Sequence, residues 1–300
     1  MKSRSFLHWI IFLALALTWG SSFILMKRGL DVFTGFQVGA LRISIAFLFL
    51  LPLAVKHLKP GVRKHWKAGA AMGLCGNLFP AFLFAKAETM ISSSLTGMMN
   101  SLTPLFTMVV GLFVFRSKVG KMQVAGVVIG LAGAIGLLQL GEQETTHSNA
   151  LTGTGMVLLA TLFYGISVNI IKAKLAHLNA VAITVLALCM TGPFAIAYLF
   201  TTDFFTRIST VPGAAESIAY IAVLAILGTS LSVMVYNILI KEAGTLFAAS
   251  VTYLIPVVAL GWGMLDGEKV GWLHGALILV ILAGVWMINK KQVARITEVQ

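Results

Sequence analysis

The sequence predicts an all-helical integral membrane protein, with ten transmembrane helices arranged as two inverted five-helix repeats. Composition is the first reason: 58% of the 300 residues are hydrophobic and 11% are charged. A soluble core of this length cannot bury so much apolar surface. Hydrophobic runs of membrane-spanning length are the second reason. The third is internal duplication: Pro104 follows Gly76 by 28 residues, and Pro256 follows Gly228 by the same 28.

The hydrophobic runs define ten predicted spans. Each is roughly 20 residues long, the length that crosses a bilayer as a helix. The connections between them are too short for a soluble domain. The approximate bounds are 6–26, 33–55, 67–86, 90–114, 119–140, 151–171, 178–200, 216–240, 245–265 and 270–289.

A hydrophilic stretch divides the chain into two halves of five spans. Residues 141–150 are predicted to be a solvated linker between a first repeat, 1–140, and a second repeat, 151–289. Residues 290–300 form a predicted cytoplasmic tail. Because each half has an odd number of spans, the second copy is inserted upside down relative to the first. Such a pair of copies can close on either side of a shared central site.

The basic residues predict the orientation. Of the 22 Lys and Arg, 16 fall on the side of the termini, five on the opposite side, and Arg42 within a span. The excess of positive charge indicates that both termini are cytoplasmic. The first apolar stretch is longer than a signal-peptide core, which favours a retained span over a cleaved signal. The expected location is the cytoplasmic (inner) membrane of a prokaryote.

Charge and chemistry exclude several function classes. The net charge of +12 comes from basic residues between hydrophobic runs, which indicates membrane topology and no nucleic-acid partner. The two cysteines lie far apart and the six histidines lack ligand-like spacing, so no metal and no cofactor is predicted. No nucleophile motif or phosphate-binding glycine loop is present. The sequence therefore favours a protein that is not an enzyme.

The acidic residues give no sign of a proton carrier at membrane depth. Proton-coupled carriers commonly place Asp or Glu there. Here five acidic residues lie near predicted span ends: Glu88, Glu216, Glu242, Asp266 and Glu268. Facilitated diffusion or exchange is therefore at least as well supported as proton coupling.

The two matched prolines predict a pair of sites within the spans. Proline removes the backbone hydrogen bond to the carbonyl four residues earlier, so Pro104 frees the Asn100 carbonyl and Pro256 frees that of Thr252. A free carbonyl at membrane depth must be satisfied by protein, water or substrate. We therefore predict Asn100 and Thr252 as substrate contacts and the two prolines as hinges.

Arg42 and several aromatic and amide residues complete the predicted site. A buried charge in a bilayer is costly and usually faces a partner or a watery cavity, so Arg42 either attracts a substrate carboxylate or binds backbone carbonyls as structural support. Helix packing of the polar residues and interfacial anchoring of Trp19 and Tyr164 remain open alternatives. The predicted substrate-binding residues are Trp19, Ser22, Arg42, Asn77, Phe84, Asn100, Tyr164, Tyr236, Asn237 and Thr252.

These residues resemble the EamA family of the drug/metabolite transporter superfamily. The resemblance is carried by Trp19-Gly20-Ser21-Ser22, by Arg42, by the Pro104 and Pro256 helices, and by Gly267-Glu268-Lys269. It implies a ten-helix carrier with its cavity between the halves, often an exporter of amino acids or other small metabolites. The family usually has a glutamate after the proline helix of each copy. Glu268 supplies it in the second copy, whereas Ser117 replaces it in the first.

The predicted function is a secondary transporter, acting as an exporter, that moves small metabolites such as amino acids by alternating access. Its expected partners are a small-molecule substrate and the lipid bilayer, and a homodimer is an open alternative. Two other functions are considered. A lipid or lipid-linked sugar flippase would share the fold, and a polytopic membrane enzyme is disfavoured because embedded acid–base pairs are absent from the sequence.

Overall fold

The described part of the chain is helical throughout. The computed structural model describes residues 6–116, 120–144, 147–243, 250–268 and 270–297, and these residues contain no β-strand. Seven helices are long and apolar enough to cross a membrane: α1 (Phe6–Leu30), α2 (Gly35–His57), α3 (Trp66–Ala87), α4 (Ser93–Phe113), α6 (Asn149–Leu175), α7 (Ala180–Phe200) and α8 (Ala214–Tyr236). Three more carry shorter apolar stretches: α5 (Lys121–Glu144), α9 (Ile255–Leu265) and α10 (Trp272–Thr297). The predicted all-helical membrane protein is confirmed.

Short polar side chains fix where several helices begin. Thr34 forms a capping box with Gln37: its hydroxyl accepts from the Gln37 N–H at 3.3 Å, and the Gln37 side chain accepts from the Thr34 N–H at 2.9 Å. Ser92 accepts from the Leu95 N–H at the start of α4, and Asn179 accepts from the Val181 N–H at the start of α7. These caps satisfy backbone donors that have no partner within the helix. The three helices start within three residues of their predicted bounds.

The helices extend further into the hydrophilic segments than predicted. Helix α5 continues to Glu144 and the helix of α6 begins at His147, so much of the predicted linker 141–150 is helical. Helix α10 likewise runs to Thr297, through most of the predicted tail. The physical reason is that hydropathy marks where lipid ends, whereas Glu, Gln, Lys and Arg sustain a helix in water. The prediction of two separate repeats is unaffected by this change of helix length.

Glycines allow α5 and α10 to pack backbone against backbone, the most extensive helix contact in the molecule. A Cβ atom on Gly126 would lie 2.6 Å from the Gly284 carbonyl oxygen, and one on Gly284 would lie 2.5 Å from the Gly126 oxygen. Gly133 and Gly136 meet Leu277 and Ile281 of α10 in the same way. Close approach at small residues replaces the hydrophobic driving force that helices lack in lipid.

We expect Gly284→Ala to lower the free energy of unfolding by about 1–3 kcal/mol, because overpacking a tight contact forces the backbones apart. Gly155→Ala is the matched control, since a Cβ at Gly155 meets nothing within 4 Å. Alanine is the better helix former, so the control should be no less stable than the parent. Thermal melting of both variants in one detergent checks the prediction. Equal melting temperatures would show that the α5–α10 contact does not depend on glycine.

Two local conformations recur at matched positions of the predicted repeats, and a further π-helical turn, Ile171–Leu175, ends α6. Wide π-helical turns interrupt α3 at Leu74–Leu78 and the eighth helix at Leu224–Leu231, around the matched Gly76 and Gly228. Short 3₁₀ turns at Asn100–Leu102 and Ser250–Tyr253 each precede an α-helical segment with proline in its first turn. Proline is tolerated there because the missing N–H has no helical acceptor to lose. Pro104 and Pro256 thus begin helical segments and do not interrupt their interiors.

The Asn100 carbonyl has partners within its own turn. The 3₁₀ turn brings the Thr103 N–H onto this oxygen, and the Thr103 hydroxyl donates to it at 2.9 Å. The backbone group that Pro104 leaves unpaired is therefore satisfied by protein. This weakens the reason for placing substrate at the Asn100 carbonyl.

Candidate functional site

Arg42 links the second helix to the eighth at the level of the π-helical turn. Its Nε donates to the Thr229 hydroxyl at 3.0 Å, and its guanidinium also interacts with the Tyr164 hydroxyl. The side chain is half-buried. Among the described residues, no carboxylate lies within ion-pair distance of it. A guanidinium has five N–H donors, so these contacts orient Arg42 and leave donors for another group.

Trp19 reaches the same π-helical turn from α1. Its indole Nε1 donates to the Gly228 carbonyl at 3.0 Å, and its ring lies 5.3 Å from that of Tyr236. A π-turn departs from the regular hydrogen-bond ladder and so can offer a backbone group to a side chain; such turns are frequent at functional sites. Ser22, one turn further along α1, is buried and donates to the Thr18 carbonyl. We call Trp19, Arg42, Tyr164, Thr229 and Tyr236 the central layer.

Asn77 carries a buried polar group without a partner. It lies in the π-turn of α3, and its Nδ2 is buried with no hydrogen-bond partner. Buried amide groups are nearly always hydrogen-bonded, so an orphan of this kind indicates a water, ion or ligand that binds there. The equivalent turn of α8 supplies Thr229, which is occupied by Arg42. At the matched positions of the two repeats, Thr229 is therefore hydrogen-bonded to Arg42, whereas the Asn77 Nδ2 has no partner.

Phe84 forms an apolar wall beside the central layer. Its ring stacks on Tyr164 at 5.8 Å and meets Phe23 edge-on at 6.0 Å. Only 2% of Phe84 is exposed, so in this conformation it packs in the core and supports Tyr164. Its predicted contact with substrate stays a prediction.

The remaining predicted site residues are less connected. The Asn100 side-chain oxygen accepts a hydrogen bond from the Thr103 hydroxyl at 3.4 Å. Thr252 lies in the 3₁₀ turn before α9. The side chain of Asn237 falls outside the described part of the chain. The structure thus brings Arg42, Tyr164 and Phe84 together, and Trp19 with Tyr236, but gives no contact that joins Asn100 to either group.

Asn169 is a buried residue that the sequence analysis overlooked. Its Nδ2 donates to the Thr107 carbonyl of α4 at 2.9 Å and to the Gly165 carbonyl at 2.8 Å. Gly165 permits this contact, since a Cβ there would lie 2.8 Å from the α4 backbone. An amide within an apolar span was the available signal, because such residues are rare in membranes.

A second polar group, which we call the charged cluster, lies at one end of the helix bundle. It consists of Lys27, Arg28, Glu88, Asp266 and Glu268. The Lys27 Nζ lies 2.5 Å from Asp266 and 2.7 Å from Glu268, and Arg28 also pairs with Asp266. Lys27 and Arg28 belong to the first half and the two acids to the second. The cluster therefore holds the halves together at this end.

Glu268 is saturated with hydrogen-bond donors. Its carboxylate accepts from the N–H and hydroxyl of Ser93 at 3.0 and 2.8 Å, and from those of Ser94 at 2.9 and 2.5 Å. It thus caps the start of α4, where a negative charge is favourable. Burial alone would raise the pKa of Glu268, but hydrogen bonds from Lys27, Ser94 and Ser93 outweigh burial and lower this pKa to about 2.

Glu88 lies in the opposite environment. Both carboxylate oxygens are buried and neither has a hydrogen-bond partner. Burial raises the pKa of Glu88 well above its usual range, and the negative charge of Glu268 raises it further, against the opposing effect of Lys27 and Arg42. The same cluster thus contains an ionised Glu268 and a Glu88 carboxyl that favours the neutral form.

Further ties join the halves at both ends of the bundle. Beside the charged cluster, Gln37 donates to Asp203 at 2.8 Å and Arg207 donates to the Val32 carbonyl at 2.8 Å. At the other end, the Nε2 atoms of His65 and His177 lie 3.1 Å apart. Among the described residues, no group of three or more His, Cys, Asp or Glu is arranged to hold a metal ion.

Comparison with known proteins identifies similar sequences and similar solved structures. The model of the EamA-like transporter family matches residues 7–139 and 151–290. A Salmonella typhimurium protein named "Probable amino-acid metabolite efflux pump" is 27% identical over 287 residues, which cover 92% of this chain and 93% of that protein. The Escherichia coli "Uncharacterized inner membrane transporter YedA" is 25% identical over 290 residues, covering 91% of this chain and 87% of its own.

A solved crystal structure has the same fold. It aligns with a TM-score of 0.64 over 99% of this chain and 100% of its own, at 16% sequence identity. At that identity the likeness shows the fold alone.

Proposed function

Because the chain belongs to the EamA-like transporter family, matched over both halves, we propose that it is a secondary transporter that exports small carboxylate-bearing metabolites, amino acids among them, by alternating access. The named efflux pump among its relatives supports outward transport of amino-acid metabolites. The relative named as an inner membrane transporter supports location in the cytoplasmic membrane of a prokaryote. The excess of Lys and Arg on the side of the termini supports both termini being cytoplasmic. Family and relatives point to a transporter and not an enzyme.

Inverted repeats supply the two alternating states. The two halves matched by the family model each contain a π-helical turn at a matched glycine and a 3₁₀ turn before a matched proline. Ten spans in two inverted copies explain why these features recur at one sequence offset. Rocking of one copy against the other around Pro104 and Pro256 would expose the central layer to each side in turn.

Arg42 is the single observation that carries the proposed substrate class. It is a half-buried cation within a span, with no acidic partner among the described residues and with its Nε fixed by Thr229 of the other half. Such a charge is costly in a bilayer unless it faces a watery cavity or a ligand. A guanidinium binds a carboxylate well, through two parallel hydrogen bonds. The unpartnered Asn77 amide provides a second donor for a polar substrate.

Counterflow in proteoliposomes tests the function. Vesicles preloaded with one unlabelled compound are diluted into a pool of labelled amino acids, neutral metabolites and fluorescent lipids. We expect accumulation of label only when the preloaded compound carries a carboxylate. Accumulation of neutral metabolites alone would contradict the proposed substrate class. Lipid movement without metabolite counterflow, in folded protein, would instead support a flippase of the same fold.

A further inference from the structure

We propose that Glu88 is a proton-binding site that controls the charged cluster: proton binding holds this end of the transporter closed, and opening releases the proton. This inference rests on the proposed alternating-access function. It assigns a chemical role to a residue that the sequence placed near a span end, where it gave no sign of one.

Two carboxyl groups of the charged cluster, those of Glu268 and Glu88, lie in opposite environments. Glu268 accepts four hydrogen bonds from Ser93 and Ser94 and an ion pair from Lys27. Both oxygens of Glu88 are buried without any partner. An ionised carboxylate without partners in such a place is far costlier than a neutral carboxyl. The geometry therefore assigns the negative charge to Glu268 and a proton to Glu88.

The balance of charges in the cluster also indicates that Glu88 carries a proton. Lys27 and Arg28 are matched by Asp266 and Glu268, which they contact directly. The four charges neutralise one another, so an ionised Glu88 would add an unbalanced negative charge. Arg42 opposes this effect electrostatically, but it lies beyond ion-pair distance of every described carboxylate, Glu88 included.

The titratable groups around Glu88 come from several elements. Lys27 faces it from α1, Arg42 from α2 and Glu268 from the segment between α9 and α10. Tyr164 lies on α6, which packs against α3, and Lys86 lies on α3 itself. Of these groups, Glu268 favours the neutral form of Glu88, whereas Lys27 and Arg42 oppose it. Burial is the largest cause of the raised Glu88 pKa, so admission of water to Glu88 is the event that changes the balance.

Opening this end of the bundle would make that change. Separation of the halves breaks the Lys27–Glu268 and Lys27–Asp266 pairs and admits water to Glu88. Hydration returns its pKa toward the ordinary carboxyl value of about 4.3. At neutral pH the proton then passes to water on this face, and Lys27 is free to pair with the carboxylate.

The sign of the pH effect follows from proton linkage. The closed state binds one proton more than the open state, so falling pH favours closure and rising pH favours opening. The effect operates between the ordinary carboxyl value and the raised value of the closed state. Within that window the ratio of open to closed protein changes by at most about tenfold per pH unit.

Infrared spectroscopy tests the proton site without any substrate. With the protein in lipid nanodiscs at neutral pH, we expect a carbonyl-stretch band of a protonated carboxylic acid that titrates away at high pH. Glu88→Gln should remove this band. Glu216→Gln is the matched control, because Glu216 is exposed near the same end of the bundle, and it should leave the band unchanged. Absence of the band from the parent, or its survival in Glu88→Gln, would overturn the proposal.

Spin-label distances test the link to opening. Labels at Thr89→Cys and Leu265→Cys, both exposed residues from opposite halves, report separation at this end after Cys75 and Cys189 are replaced by Ser. We expect the open fraction to rise with pH in the parent and in Glu216→Gln, and to be independent of pH in Glu88→Gln. Opening with the same pH dependence in Glu88→Gln would overturn the proton site alone. A parent that never opens at this end would overturn alternating access as well.

Discussion

Replacing Arg42 with alanine is expected to abolish most transport of carboxylate-bearing substrates. Loss of one partner from a buried charged hydrogen-bonded pair costs about 3 kcal/mol, which corresponds to roughly a hundredfold weaker binding. The expected result is a large rise in KM for counterflow of any substrate that the parent carries, measured at matched amounts of folded protein. Arg42→Lys keeps the charge but loses the planar two-pronged geometry, so it should recover only part of the affinity.

Two controls separate substrate binding from structural support. Thr229→Val removes the hydroxyl that accepts from the Arg42 Nε but keeps the size of the side chain. Because it loosens the orientation of Arg42 and keeps its charge, we expect a smaller rise in KM, of about tenfold at most. If Arg42 served only to hold α2 against α8, Arg42→Ala would lower the melting temperature and leave KM unchanged. That outcome would remove Arg42 from the substrate site.

Replacing Glu268 with alanine is expected to destabilise the protein more than any other single substitution in the charged cluster. The side chain is 7% exposed, and its removal leaves Lys27 without one partner and the first turn of α4 without its cap. Breaking a buried pair in this way costs about 3–5 kcal/mol. Thermal unfolding in detergent measures the loss. Glu242→Gln is the control: its side chain is 52% exposed where it meets His8, so little change is expected.

The loss should itself depend on pH. The folded-state pKa of Glu268 is lowered to about 2, below its ordinary value. A depressed carboxyl pKa contributes stability that is fully present above the ordinary value and is lost as pH falls toward the folded value. The difference in melting temperature between parent and Glu268→Ala should therefore be constant above about pH 5 and shrink as the pH approaches 2. A difference that stayed constant down to pH 2 would show that Glu268 contributes by packing and not by charge.

The spans were readable from the sequence because a bilayer imposes a simple requirement on each of them. Apolar length predicted the helices closely, and rare polar residues within spans singled out Arg42 and Asn77. The helix ends at Glu144 and Thr297 were missed because polar residues continue a helix beyond the lipid. Hydropathy contains no information about that boundary.

The sequence did not indicate the hydrogen-bond and ion-pair partners of the polar residues. Lys27 and Glu268 lie 241 positions apart, and Glu268 and Ser93 lie 175 apart, so no local spacing connects them. Nothing in the sequence singled out Glu88, because position along the chain does not show whether a buried carboxyl has a hydrogen-bond donor nearby. The ten-span inverted arrangement and the site residues remain predictions, although the recurrence of π and 3₁₀ turns at matched positions supports the internal duplication.

The capping of α4 by Glu268 also constrains how the protein is made. Ser93 and Ser94 leave the ribosome long before Glu268 is synthesised, so the first turn of α4 enters the membrane without the carboxylate that completes it. Its backbone donors depend on water or lipid headgroups until the segment before α10 arrives. The first half thus acquires its final form only after Glu268 has been synthesised and has reached the start of α4.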